Sequence, residues 1–259
     1  MAAGVLDLVD IEELVKDSAA KMLDGDAKKK ADLENPEIDW DRMYVTHGET
    51  TYTNTRLSPK PTAHVLFSAN FSNDTPKPQR YTLRTERRTK STCNVALNKT
   101  YTVGASIEIK LTPPNPIIEA NAGFHGEMSM EKGVNETFEQ ELAWTVDNEI
   151  EVPPGHMTKA DLVIKEDEFD GEFTIESKFE GKVVVTYETK KQREHVATVV
   201  RNVKSFLNKE NGFKTDDEGR PCFVTKGKCK CRFGIEQNVL LKQTTLPSSK
   251  PQSLNGPEM

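Results

Sequence analysis

The chain has 259 residues, a formal net charge of -6, and 35% hydrophobic against 29% charged residues. With a mean hydropathy of -0.64 and no apolar run near the roughly eighteen residues of a membrane helix, it does not read as a helical membrane protein. The acidic balance, and the lack of a basic patch with interleaved aromatics, argue against a nucleic-acid partner.

Met1 to Val5 carries no charged n-region and opens no long apolar stretch, so no signal peptide is read there. Synthesis in the cytoplasm, with release by lysis or a leaderless route, is the expectation. Residues 4 to 23 place Leu8, Ile11, Val15 and Met22 at helical spacing, with Leu14 and Ala19 beside them. This predicts an amphipathic helix that stops at Gly25, with Asp7 and Asp10 suiting its positive first turn. Its polar side is acidic, so docking on its own protein is expected rather than on a membrane. Residues 26 to 37, with Lys28-Lys29-Lys30 and then Asn35-Pro36, read as a linker. From Trp40 to about residue 100 the chain is rich in Thr, Ser and Asn, with aromatics spaced through it and Pro59, Pro61, Pro76 and Pro78 as punctuation. That is strand-and-turn composition.

Tyr101 to Glu131 has the clearest pattern. Val103, Ala105, Ile107, Ile109 and Leu111 alternate with small or polar residues, among them Glu108 and Lys110. After Pro113-Pro114-Asn115-Pro116 the alternation resumes, with Ile118, Ala120, Ala122, Phe124, Gly126, Met128 and Met130 on one side. Glu119, His125, Glu127 and Glu131 lie on the other. The pattern predicts two strands joined by a proline-stiffened tip. Each arm carries about nine to thirteen alternating residues, and a tilted membrane strand needs about nine to eleven. One reading is therefore a barrel hairpin with a lipid-facing and a lumen-facing side. The other is an ordinary half-buried hairpin, which is the commoner object.

Beyond it, Phe138, Leu142, Trp144 and Val146 alternate as far as Ile150-Glu-Val152, and Pro153-Pro154-Gly155 makes a hard turn. Ala160, Leu162 and Ile164 predict one strand. Phe173 to Phe179 and Val183 to Tyr187 predict two more, with Gly171 and Gly181 at the joints. His195 to Asn208 reads as a short helix or helical turn. Cys222 to Val224 and Cys229 to Leu241 read as the last strands, and the tail from Leu246 as disordered. If Thr225 to Lys228 is a hairpin loop, Cys222 and Cys231 face each other and bridge; the alternative is free thiols. The Asn sequons at 70, 73, 98 and 135 read as chance matches. The five histidines are scattered without metal-ligand spacing, and there is no phosphate loop or nucleophile elbow. No catalytic residue, cofactor or metal site is expected.

The order of these features resembles the aerolysin-like β-pore-forming proteins, in the epsilon-toxin and mosquitocidal-toxin branch. The resemblance rests on Tyr101-Thr-Val-Gly-Ala-Ser-Ile-Glu-Ile, the hairpin after it, Ile150-Glu-Val-Pro-Pro-Gly155, Ala160-Asp-Leu-Val-Ile, and Phe173-Thr-Ile-Glu-Ser-Lys-Phe-Glu-Gly-Lys-Val-Val-Val. It covers residues 65 to 190 well, 190 to 245 loosely, and the N-terminal third hardly at all. It implies a mainly β, elongated fold of long twisted antiparallel strands with a short N-terminal helix. The expected organisation is a helix and linker over 1–36, a head or receptor-binding region over 37–80, a pore-forming module over 81–245 with the insertion hairpin at 101–131, and a tail over 246–259. It further implies a monomer that finds a target membrane through a lipid, glycan or protein receptor. Such monomers gather in a ring, often of seven, and insert one hairpin each. Trp40, Tyr44 and Tyr52 are the head-contact candidates, with a place in the core as the competing role for each.

Overall fold

The computed structural model describes residues 6–131 and 133–247. In chain order the elements are β1 (Asp7–Asp10), α1 (Ile11–Ala20), α2 (Gly25–Lys30), β2 (Glu37–Asp39), β3 (Met43–His47), β4 (Thr51–Leu57), β5 (Thr62–Asn73), β6 (Gln79–Thr102), β7 (Ile109–Leu111), α3 (Asn115–Glu119), β8 (Met128–Met130), β9 (Asn135–Val152), β10 (His156–Glu188), β11 (His195–Asn202), β12 (Lys214–Thr215) and β13 (Pro221–Thr245). The fold is mainly β, as the alternation in the sequence requires.

β10 organises the sheet. Four strands pair antiparallel along one of its edges: β5 with His156–Glu166, β4 with Phe169–Thr174, β3 with Ser177–Gly181 and β2 with Val184–Thr186. β4, β3 and β2 thus run back along Phe169–Thr186 of β10, and β5 pairs with His156–Glu166. The sequence reading cut β10 into three strands at Gly171 and Gly181, but the strand runs through both. Glycine inside a strand marks a bulge or a close backbone approach more often than a turn. A Cβ on Gly181, at φ +96°, would meet the Arg42 carbonyl oxygen. At Gly171 the register shifts, and opposite it Asn54 adopts φ +51° and donates its side-chain amide to Glu172 Oε2 at 2.7 Å.

The chain divides into two compact units: Met1–Ser58, Thr92–Gln140 and Glu168–Arg232 form one, and Pro59–Ser91, Glu141–Asp167 and Phe233–Met259 the other. The second is cored by Leu83, Val146, Ile150, Ala160, Leu162 and Ile164, with Trp144 packed against them. Trp144 Nε1 donates to Thr89 Oγ1 at 2.8 Å, so the half-buried indole keeps its donor paired. The sequon residue Asn73 is also buried here, donating to the Lys77 and Val152 carbonyls. In the first unit, Tyr101, Phe179, Phe213 and Phe223 pack edge-to-face or tilted, with centroids 5.0 to 5.5 Å apart.

Several local expectations are corrected. The N-terminal helix is Ile11–Ala20 only. Asp10 caps it, its carboxylate accepting from the Glu12 and Glu13 amides, and the residues before the cap form β1. Ile11, Val15 and Ala19 face inward, while Leu8 and Met22 are exposed. Gly25 opens α2, capped by Asp24, where a linker was expected. His195–Asn202 is a strand, with 3-10 turns at Val203–Ser205 and Lys209–Asn211 after it, since its Val and Thr favour extended backbone over helix. The tail beyond Pro247 lies outside the described residues.

The Cys222–Cys231 bridge is also overturned. There is no turn at Thr225–Lys228: both cysteines sit on β13, nine positions and about 30 Å apart at strand rise. Cys231 instead faces Cys93 across the β13–β6 ladder, and these two form the disulfide, with Cα atoms 4.0 Å apart. Cys222 and Cys229 are free and buried. Burial pushes the Cys229 thiol up to about 12, which leaves it protonated and unreactive.

Gly181→Ala is expected to destabilise the protein by about 2 kcal/mol or more, since it adds left-handed strain to a clash with backbone. A urea melt showing an unchanged midpoint would contradict this account of β10.

Candidate membrane-insertion segment

Residues 103 to 134 connect β6 to β9, which are hydrogen-bonded neighbours. Within the connection β7 and β8 form a two-stranded sheet of their own, pairing Ile109 with Met130, Lys110 with Ser129 and Leu111 with Met128. The two long arms expected from the sequence are therefore three residues each, and the proline tip is the start of α3. Pro114 is the cap position and Pro116 lies in the first turn, where a missing amide costs nothing.

The alternation survives as alternation of burial. Of the eleven residues expected to face lipid, Ile107, Ile109, Leu111, Ala122, Phe124, Met128 and Met130 are buried, Val103 and Ala120 are half-buried, and Ala105 and Ile118 are exposed. At the tip Pro113 and Pro114 are buried and Asn115 is exposed. Helical backbone at α3 breaks the period of two there, so Ile117 is buried and Ile118 turns out. Glu108, Lys110, Glu119, His125, Glu127 and Glu131, the residues expected to line a lumen, are all exposed. The protein itself thus covers most of the face that the barrel reading gives to lipid.

Specific groups hold the segment. Tyr52 Oη donates to the Thr112 carbonyl at 2.6 Å, and the Thr112 amide donates to Thr50 Oγ1 at 3.0 Å. The Tyr52 ring packs edge-on against Phe169 and Phe173, and burial raises its pKa, keeping the phenol a donor. His47, at the end of β3, shares a 2.9 Å hydrogen bond between Nδ1 and Ser177 Oγ. Of the three head-contact candidates, only Tyr44 is exposed, at 64%. Trp40 lines a cleft beneath the segment, and Tyr52 holds the segment down. The sequence carries no sign of these contacts, because Thr50 and Tyr52 lie about sixty residues from Thr112.

Other features weaken the docking. The cleft measures about 870 Å³ and is lined by Trp40, Met43, His47, Tyr101, Ile107 and Met130, among others, so the underside of the segment forgoes part of the packing a filled core supplies. Positive φ angles recur within the segment, at Gly104, Ala105, Asn121, Gly123 and Gly126. For Ala105, at φ +65°, the left-handed conformation costs about 1–2 kcal/mol, which an extended strand would not.

Among the described residues no helix is long and apolar enough to cross a membrane, which says nothing of strands. Nor do any three His, Cys, Asp or Glu side chains there gather to hold a metal ion.

No protein-family model matches the sequence, and no curated protein matches it. Solved structures do. The Cry23Aa1 and Cry37Aa1 binary protein complex aligns with a TM-score of 0.55 at 13% identity, over 92% of this chain and 90% of that one. A non-toxic crystal protein from Bacillus thuringiensis aligns with a TM-score of 0.59 at 14% identity, over 93% and 98%. At such identities the likeness shows the fold alone, an aerolysin-like fold.

Two predictions test the latch. Tyr52→Phe removes one hydrogen bond and should raise hydrogen exchange in β7 by about tenfold, while β10 amides stay protected. The second concerns pH. Burial depresses the His47 pKa below 6.5, Lys110 adds to this, and Glu127 and Glu108 oppose it; Ser177 shares its hydrogen bond, and Tyr101 lines the same cleft. A histidine depressed in the docked state and free to charge in the released one stabilises docking fully above about pH 6.5. That contribution is lost as the pH falls toward the depressed value. Exchange of β7 should therefore quicken between pH 7.5 and 5.5 beyond the intrinsic pH effect, and His47→Gln should flatten the difference.

Proposed function

We propose that the chain is a non-enzymatic pore-forming protein. It meets a target membrane through a lipid, glycan or protein receptor, assembles into a ring of copies, often seven by family resemblance, and inserts residues 103–130 of each copy as a β-hairpin. The supporting observation is the register of β6 and β9. Arg80 pairs with Glu151, Arg84 with Asp147 and Asn94 with Thr137, and the Leu97 amide bonds the Val134 carbonyl. Every step along β6 is matched by an equal step back along β9.

Continued through the connection, this register sets Val103 opposite Met128, Ile107 opposite Phe124, Ile109 opposite Ala122 and Leu111 opposite Ala120. The turn then falls on Asn115–Pro116, the tip read from the sequence. Lys110 moves from Ser129 to Asn121, a slide of eight residues. Because eight is even, the apolar face stays one face. Straightening thus turns the covered stripe into a two-stranded extension of β6–β9, suited to lipid on one side and water on the other. Closing a ring of such hairpins removes the free sheet edges that lipid does not tolerate.

One observation favours a second reading, a binding protein that keeps the segment docked. One structural likeness is to a protein described as non-toxic, and the other to a binary complex. Fold alone does not choose between them.

Ala120→Glu discriminates. Ala120 is only half-buried in the docked protein, so folding should survive. In an inserted hairpin the carboxylate would meet lipid in every copy, so dye release from liposomes should fall at least tenfold; unchanged release would remove residues 103–130 from the pore. The lumen side, with Glu108, Glu119, Glu127 and Glu131 against Lys110 and His125, is net acidic, so the pore should prefer cations. A reversal potential in planar bilayers favouring chloride would contradict that lining.

A further inference from the structure

We infer that β1 is an autoinhibitory edge strand that keeps β6 and β9 from zipping further together. The inference rests on the pore-forming reading, since it concerns the step by which the segment straightens. β6 has two edges. On one, β13 pairs Leu97 with Gly227 and Lys99 with Lys226. On the other, β9 reaches at least as far as Leu97, whose amide bonds the Val134 carbonyl. From Lys99 onward that second edge belongs to β1, which runs parallel to β6 and pairs Asp7 with Lys99, Leu8 with Thr100, Val9 with Tyr101 and Asp10 with Thr102. The next main-chain groups that β9 would claim on this edge, at Lys99 and then at Tyr101 opposite Met130, lie in the stretch that β1 pairs. A strand edge offers one row of hydrogen-bonding groups to one partner, so the ladder cannot extend into the segment until β1 leaves.

β1 is built to leave. Its four residues are exposed except for a half-buried Val9, so little apolar surface holds it. Its ion pair, Asp7 Oδ2 to Lys99 Nζ at 2.5 Å, lies at the surface, where such pairs contribute little. The helix that follows is held far better. Ile11, Val15 and Ala19 are fully buried, Arg201 Nε donates to Ser18 Oγ at 2.9 Å, and Asp10 secures the first turn. β1 can therefore peel from β6 while α1 stays in place, with Asp10 as the hinge. Weakly held segments of this kind open first. Whatever displaces residues 7–9, whether proteolysis, a receptor or contact with a second copy, would free the edge.

The test uses the full chain and liposomes of phosphatidylcholine, phosphatidylserine and cholesterol loaded with a self-quenched dye. Asp7→Cys with Lys99→Cys joins two register partners, and oxidation fastens β1 to β6. The locked protein should release at least tenfold less dye than wild type and recover on reduction, with wild type in the same reductant as control. Val9→Pro breaks the β1 ladder and should reach half-maximal release at about a tenth of the wild-type concentration. In liposomes it should also cross-link through an added Lys110→Cys and Asn121→Cys pair, which the docked register holds apart. Full release by the locked protein overturns the inference and leaves the pore reading standing. No release from wild type or Val9→Pro, with Lys110→Cys still cross-linking to Ser129→Cys, overturns both.

Discussion

The ladder along β10 is the constraint from which the rest of the arrangement follows. Thirty-three residues of one strand fix where residues 37 to 73 lie, because each short strand of that stretch is registered against β10 by backbone bonds. That register brings His47 to Ser177 and puts Thr50 and Tyr52 beside Thr112. A slip of one residue would turn every side chain of β4 to the wrong face, and the latch would have no phenol to offer. The glycines of β10 belong to this constraint: at Gly181 the strand passes the Arg42 backbone too closely for any Cβ.

The segment between β6 and β9 is held by a different balance. Burying seven apolar side chains favours docking, each by about 1–3 kcal/mol. A cleft beneath the segment and strained backbone at Ala105 work the other way. A segment with two possible partners for one apolar face needs this near-balance, since a ligand or surface shifts an equilibrium only by its differential affinity for the two states. The even slide between the docked and continued registers makes the exchange feasible, because the same side chains serve both.

The cysteines show how sheet geometry outranks sequence proximity. Cys222, Cys229 and Cys231 cluster along the chain, but nine residues of continuous strand separate the first from the last. Cys93, 138 residues away, is the one that faces Cys231. The N-terminal region shows the same at a smaller scale. Leu8 fits a helical stripe, yet a capping carboxylate at Asp10 ends the helix before it, and a free edge on β6 takes up what remains.

The sequence alone determined the mainly β fold, the stripe through residues 103–130, the polar identity of its other face, and the fold family. All of these depend on local period and order, and period two is a property of extended backbone wherever it lies. Tertiary structure decided what the stripe touches: β7 and β8 shortened to three residues each, a helical turn at the prolines, the Tyr52 latch, the disulfide partner, and β1 on the β6 edge. The latch, the disulfide and the β1 pairing each join residues about sixty or more positions apart, and alternation says which way a side chain points along its own strand but not which strand lies beside it.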